Sequence, residues 1–259
     1  RDAVDADSSL VVSLAGGRIG SGEGPAVVVT RVVEALQAGV SKIAAFIATN
    51  EVAAARLPAW VAEASSLRVR FAPGSLRIGI TPEVPQLTID NPVPLADQAL
   101  ERFVSAENWA QRGLPDAMLD EMLPHPVLRR QVLLRVKEVA PRVQGAYRTV
   151  ELSGVVVRGE ERLALTAVAY EHARSYLNRR SRESVTFKGK LVSIDVEKNR
   201  FDLRVGEERI HCAVPANLRQ KAMDSIDEVV EVEGEGIFQE EGEIPELLVV
   251  RDIRDLVTA

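Results

Sequence analysis

The sequence predicts an α+β protein in two domains. Three observations carry this reading. A long stretch of helical periodicity in the first third is flanked by short runs of strand-like alternation. The last third spells strand, strand, strand, helix, strand, strand. The charge balance also changes sign twice along the chain. Residues 1–124 carry 10 Lys/Arg against 15 Asp/Glu, residues 125–183 carry 12 against 6, and residues 184–259 carry 10 against 17. At 259 residues, 46% hydrophobic and 27% charged, the chain can bury sizeable cores, and this composition excludes wholesale disorder.

The N-terminal elements follow in order. Residues 1–9 are polar and acidic and should fray. Leu10–Leu14 is a short apolar run that stops at glycines, hence a strand. A loop with Gly16, Gly17, Gly20, Gly22 and Gly24 leads to Pro25, a residue suited to a first helical turn. Val29, Val32, Val33, Leu36, Val40, Ile43 and Ile47 then recur at helical spacing, and Asn50 reads as a C-terminal cap. A short helical piece is expected from Pro58 to Ala64. Leu67–Phe71 and Leu76–Ile80 alternate around Pro73-Gly74-Ser75, the pattern of a β-hairpin, with Arg68, Arg70 and Arg77 on its wet face.

The middle is helical. Four prolines forbid a helix over 81–94; helices are expected at 95–112, 116–123 and 127–139, bounded by Gly113, Pro115, Pro124, Pro126 and Pro141. A second hairpin is expected from Thr149–Val157 and Leu163–Val168 around residues 158–161, then a helix over Tyr170–Arg180. The first domain is thus residues 1–183, a helix-on-sheet domain with a helical insertion at 81–141. The second is residues 184–259, with the boundary at Ser181–Ser184.

The second domain has the clearer pattern. Strands are expected at Val185–Val196, Phe201–Val205, Ile210–Val214, Val229–Phe238 and Leu247–Leu256, with a helix over Pro215–Ile226. That order is the order of the OB-fold, so an OB-like β-barrel is predicted, with Gly189 at the bend its first strand requires. Phe201, Leu203, Val205, Ile210 and Cys212 share the inward phase. Lys188, Lys190, Arg200, Arg204, Arg209 and His211 share the outward one.

Composition removes several chemistries. One cysteine, Cys212, excludes an internal disulfide framework and a cysteine zinc cluster, and three histidines leave little for a histidine metal site. His211 and Cys212 are adjacent on a strand and face opposite ways, and no His pair has helical metal spacing. No uninterrupted apolar run approaches the ~18 residues of a membrane span, so no membrane partner is expected. No signal peptide is visible, which together with the lone cysteine predicts the cytoplasm. The Gly-rich loop sits between strand and helix, where Gly17, Arg18, Gly20 and Gly22 could cradle a phosphate. It lacks the Gly-Lys-Ser/Thr ending of a P-loop and the G-x-G-x-x-G spacing, and Glu23 would repel phosphate. No nucleophile elbow is present, Glu231, Glu233 and Glu235 read as one wet strand face, and no cofactor is implied.

Two basic groups could meet nucleic acid or another partner. One is Arg129, Arg130, Arg135 and Lys137 on a single helix. The other is Arg179, Arg180 and Arg182 before the barrel, extended by Lys188, Lys190, Arg200, Arg204 and Arg209 across the barrel face. Phe187 and Phe201 belong to the core, so no outward aromatic platform accompanies them.

The segments LVVSLAGGRIGSGEG, VVEALQAGVSKIA and GSLRIGI, with VTFKGKLVSIDVEKNRFDLRV and VVEVEGEGIF at the other end, resemble uncharacterised bacterial two-domain proteins that end in an OB-like small barrel. The resemblance invites comparison with antitoxin-like or defence-associated components and brings no activity or site residues. The sequence leaves three readings in this order. The first is a non-catalytic binding or assembly protein with a protein partner or its own copies. The second is a nucleic-acid-binding protein, and the third is an enzyme or sensor for a phosphorylated small molecule at the Gly-rich loop.

Overall fold

The computed structural model describes residues 8–17, 19, 26–52, 57–71, 76–83, 95–157 and 162–256. They form two compact units. One runs up to Tyr176 apart from His125–Val127, and the other holds His125–Val127 and the chain from Leu177 onward.

In the first unit, β1 (Leu10–Ala15) lies at the centre of a sheet with β2 (Leu67–Phe71), β3 (Arg77–Pro82), β4 (Thr149–Ser153) and β5 (Leu163–Leu165). The order is β2-β3-β1-β4-β5, with every pairing antiparallel. Leu10, Val11, Val12 and Leu14 are all buried, so β1 is covered on both faces, as a central strand requires. Both expected hairpins are present, β2–β3 and β4–β5; residues 72–75 and 158–161 of their connections, like Arg18, Gly20, Gly22, Gly24 and Pro25, lie outside the described residues. β4 stops early because Gly154 turns to φ +122.

The helices are α1 (Ala26–Thr49), α2 (Ala59–Ala64), α3 (Leu95–Arg112), α4 (Asp116–Met122), α5 (Pro126–Val139) and α6 (Ala167–Arg179). The stripe read from the sequence is the buried one: Val32, Leu36, Val40 and Ile43 are fully enclosed. Asn50, at φ 54, ends α1 and donates its N–H to Phe46 O at 2.8 Å. By length, and by a mean hydropathy of 1.4 over 18 residues, α1 matches a membrane span, although no unbroken apolar run marks it. Half of that window is buried inside the fold. Gln37 ties α1 to the start of β2, accepting the Leu67 N–H at 2.9 Å and donating to Ser65 O at 2.9 Å. Helix α6 begins three residues ahead of expectation because Thr166 caps it, its Oγ1 accepting the Val168 N–H at 3.3 Å. Around α3, Trp109 stacks on His172 at 4.3 Å and meets Tyr176 edge-on at 5.4 Å.

One side chain in this core stands apart. Glu107 of α3 is fully buried, and neither carboxyl oxygen has a hydrogen-bond partner. Burial pushes its pKa well above the ordinary 4.5.

The second unit contains β6 (Arg182–Asp195), β7 (Arg200–Val205), β8 (Glu208–Ala213), a 3-10 turn (Ala216–Leu218), α7 (Arg219–Asp224), β9 (Val229–Ile237) and β10 (Leu247–Asp255). Its strands close into a five-stranded ring, β10-β8-β7-β6-β9, with β9 returning to β10. Only β8 and β10 pair in parallel among the described strands. Phe187, Leu191, Phe201, Leu203, Ile210, Cys212, Val230, Val232, Leu248 and Ile253 fill the interior. At Gly189–Lys190, β6 passes from β9 to β7. A Cβ on Gly189 would stand 2.6 Å from Arg204 O, so only glycine allows the strands this close.

Gly189→Val should therefore lower stability by about 2 kcal/mol or more, read from the urea midpoint. Gly206→Ala, at φ +63 with open space around it, should cost only about 1 kcal/mol. Equal losses would show that strand approach at Gly189 is not limiting. A second expectation concerns Glu107. Between pH 4.5 and its raised pKa the folded chain holds a proton that the unfolded chain releases, so stability falls as pH rises. The lowered pKa values of Asp195, Asp202 and Asp252 act below that window. The melting temperature should drop from pH 5 to pH 8, and Glu107→Gln should flatten that drop.

Candidate functional site

The outward face of β6, β7 and β8 gathers the largest set of candidate residues named from the sequence. Strict alternation builds it. Val185, Phe187, Phe201, Ile210 and Cys212 point in, while Lys188, Arg200, Arg204, Arg209 and His211 are exposed and Lys190 is half-buried. Burial pushes the Cys212 thiol pKa up, so the only cysteine is an inert core group.

The strand register sorts the polar residues into rows. Lys190, Arg204 and Arg209 lie side by side across three strands. The next row is Ser193, Asp202 and His211. In it Ser193 Oγ donates to Asp202 Oδ2 at 3.0 Å, and His211 Nδ1 lies 2.8 Å from Asp202 Oδ1. Burial pushes the Asp202 pKa up, but the hydrogen bonds from His211 and Ser193 and the charges of His211 and Arg209 outweigh it. The carboxyl stays below its usual range. A depression of about 400 Å³ runs along this row, with Asp195, Lys198 and Arg200 at its end. There the Lys198 N–H donates to Asp195 Oδ1 at 3.0 Å, which lowers the Asp195 pKa.

Ser193, Asp202 and His211 have the residue types of a hydrolase triad but the wrong wiring. Asp202 is the central member, so both neighbours spend their hydrogen bonds on it. A triad needs the imidazole in the middle, accepting the hydroxyl proton. This row is a polar clasp that orders the face. Among the described residues no group of three His, Cys, Asp or Glu could hold a metal ion.

Ion pairing decides which cations remain available. Lys190 pairs with Asp227 at 3.0 Å, and Arg209 reaches Asp202 only at 3.9 Å. Arg182 pairs with Glu235 at 3.5 Å. Arg180 lies 3.4 Å from the buried carboxylate of Glu183. Arg179 is exposed. Arg200 and Arg204 make no ion pair among the described residues. The acidic strand face next door is satisfied internally. Arg254 reaches Glu231, Glu233 and Asp252 at 3.3, 3.0 and 2.9 Å, and Arg251 reaches Glu235 at 3.2 Å.

The basic group on α5 does not form a surface. Arg129, Arg130 and Lys137 of α5 are buried, at 6%, 3% and 2% exposure, and only Arg135 is partly open. Arg129 donates to Leu123 O and Pro124 O at 3.0 Å each and lies 3.2 Å from Asp120. Lys137 sits over the Tyr170 ring at 5.9 Å. Arg135 grips Glu138 with two 2.8 Å hydrogen bonds. The reason is visible in α5 itself. Val127, Leu128, Val132, Leu133, Leu134, Val136 and Val139 fall on every side of the helix, and a helix apolar all round is buried all round. The reading of these four as a phosphate-facing stripe is corrected accordingly.

Of the Gly-rich loop residues, Gly17 is described and Arg18, Gly20 and Gly22 are not. Gly16 and Gly17 have φ of +75 and +68. A Cβ on Gly17 would meet Ala146 O at 2.6 Å, so the loop leaves β1 in close contact with the backbone before β4. Sequence reasoning missed Glu107, yet a signal existed. Ala96, Leu100, Phe103, Glu107 and Ala110 share one stripe of α3, so the carboxylate falls on an apolar face. Comparison with protein-family models and with curated proteins gave no match.

Arg129→Ala should destabilise the chain by about 3 kcal/mol, because it strips a buried charge from Asp120 and two carbonyls. Arg204→Ala should change the urea midpoint by less than about 0.5 kcal/mol. A neutral Arg129 variant would contradict its structural role.

Proposed function

We propose that this chain is a non-catalytic binding and assembly protein, and that the β6–β8 face of the ring is its contact surface. The ring is read as an OB-like barrel. Its first strand pairs with the second and fourth, its third runs parallel to the fifth, and its helix precedes the fourth, which supports that reading. In OB-folds this face of the second and third strands is where ligands are commonly held.

The observation that carries the proposal is a mismatch of charge within one unit. Arg200 and Arg204 lie on an open face without carboxylate partners among the described residues. The sequence from 210 to 259 carries 12 acidic residues against 4 basic ones. Such a polarised module attracts acidic protein surface, including the acidic half of another copy. A single nucleic acid strand is the second reading, favoured by the position of Arg200 and Arg204. Against it, Phe187 and Phe201 are turned inward, so the face offers no Phe, Tyr or Trp ring for base stacking.

Sedimentation velocity across a concentration series should show reversible association at about 50 mM salt that fades by about 500 mM, as screening demands. The double variant Arg200→Glu, Arg204→Glu should stay monomeric at both. A wild-type chain that is monomeric throughout, or association indifferent to the charge reversal, would sink the assembly reading. Fluorescence anisotropy with labelled DNA and RNA single strands distinguishes the alternative. Binding at physiological salt that the same double variant abolishes would establish nucleic acid as the partner instead.

A further inference from the structure

A cavity of about 350 Å³ opens in the first unit between the start of α1 and the connection from α5 to β4. Its charged lining is Arg31, Arg142 and Glu138, and its apolar lining includes Val27, Val28 and Tyr147. Glu138 contributes little free charge, because Arg135 holds both its oxygens at 2.8 Å. Neither Arg31 nor Arg142 has an ion-pair partner among the described residues. Arg142 is nevertheless oriented: its guanidinium lies over the Tyr170 ring at 5.0 Å, and its carbonyl accepts the Gly145 N–H at 2.9 Å in a tight turn.

The rest of the wall accommodates an anion. Burial pushes the Tyr147 pKa up to about 12, against the lowering charges of Arg31 and Arg142 and with a raising one from Glu107. Tyr147 is therefore neutral, and its hydroxyl donates to Val139 O at 2.8 Å, covering the carbonyl end of α5. Burial without a hydrogen-bond partner pushes the Glu107 carboxyl toward its neutral form. The first turn of α1 contains no acidic residue, so the partial positive charge of its free N–H groups is unanswered from within that turn. Val27, 74% exposed, and Val28 add apolar surface beside the two guanidiniums.

We propose that this cavity binds a small organic phosphate monoester, with the phosphate held between Arg31 and Arg142 and the organic body against Val27, Val28 and Tyr147. Two planar guanidiniums match the several oxygens of a phosphate dianion. The volume lies at the small end of ligand pockets, room for a sugar phosphate or a mononucleotide and not for a polymer. The site uses none of the ring residues, so it stands or falls separately from the assembly reading.

Isothermal titration calorimetry on the full chain tests it with ribose 5-phosphate, adenosine 5′-monophosphate, adenosine and inorganic phosphate. At least one ester should bind saturably at one site, about tenfold or more tighter than adenosine and than inorganic phosphate. Arg31→Ala and Arg142→Ala should each weaken that binding by about tenfold or more, with unchanged melting curves because both side chains are exposed. Arg68→Ala, which removes an exposed charge on β2, should leave binding unchanged. No saturable ester binding, an equal loss in Arg68→Ala, or inorganic phosphate binding as tightly as the esters would overturn the proposal. Should either alanine variant lose its fold, Arg31→Lys and Arg142→Lys supply the same comparison with charge retained, and undiminished binding in both would overturn the guanidinium clamp.

Discussion

Three parallel residue pairs between β10 and β8, Leu247–His211, Leu248–Cys212 and Val249–Ala213, hold the ring of the second unit shut. Without them β8 and β10 would each present an open row of backbone N–H and C=O groups, ready to pair with any extended chain. With them the seam is closed over Leu247–Val249 and His211–Ala213, and Val250–Asp255 of β10 run on past it. The contact surface proposed above uses side chains of the outer face and not β-structure added at this seam. That constraint gives weight to the two arginines left without carboxylates, Arg200 and Arg204. The sheet of the first unit is different: it keeps β2 as an edge strand, and the exposed Arg68 and Arg70 put charge along it, a common way to discourage pairing.

The face is also shaped by a defect in the ladder. Register slips between Leu191 and Ser193, which places one extra residue, Val192, in β6. Before the bulge the even residues Lys188 and Lys190 point outward; after it the odd residues Ser193 and Asp195 do. The shift brings Ser193 opposite Asp202 and completes the hydrogen-bonded row with His211. Closing the ring and ordering its face are thus linked. The strand that bends at Gly189 to serve two neighbours is the one whose bulge turns a serine toward the clasp.

How much of this was legible in the sequence depends on the kind of signal. Strand–turn–strand patterns and proline-bounded helices were legible, because alternation and helix stops are local. The strand order of the second unit was legible in the same way, and the ring closure is consistent with it. The bulge at Val192 left a trace that was not read: Leu191 and Val192 stand side by side in KLVSID, and the polar positions pass from even to odd there. The fate of α5 was legible in principle. Its arginines drew attention as charges, while its valines and leucines, placed all round the helix, had already excluded a solvated face. Gly17 could be recognised as a turn glycine, but its contact with Ala146 joins residues far apart in sequence, which no local pattern records.

Both units hold their arginines in two ways, and that contrast underlies the proposals. Arg129 is committed to carbonyl oxygens and Asp120, Arg254 to three carboxylates, and Arg180 to the buried Glu183. A cation satisfied in this way is part of the fold, because removing it strands a buried or crowded acceptor. Arg31, Arg142, Arg200 and Arg204 are placed with no such acceptor among the described residues, and the fold gains little from their charge. Solvated arginines are ordinary when scattered. Here they come in pairs. Arg200 and Arg204 share one face of β7 with Asp202 between them, while Arg31 and Arg142 line one cavity whose carboxylate, Glu138, is already taken by Arg135. Guanidiniums that line one cavity repel one another, and an anion between them relieves that repulsion. On the two proposals made above, charge from outside the chain answers them: acidic protein surface at the ring and a small phosphate at the cavity.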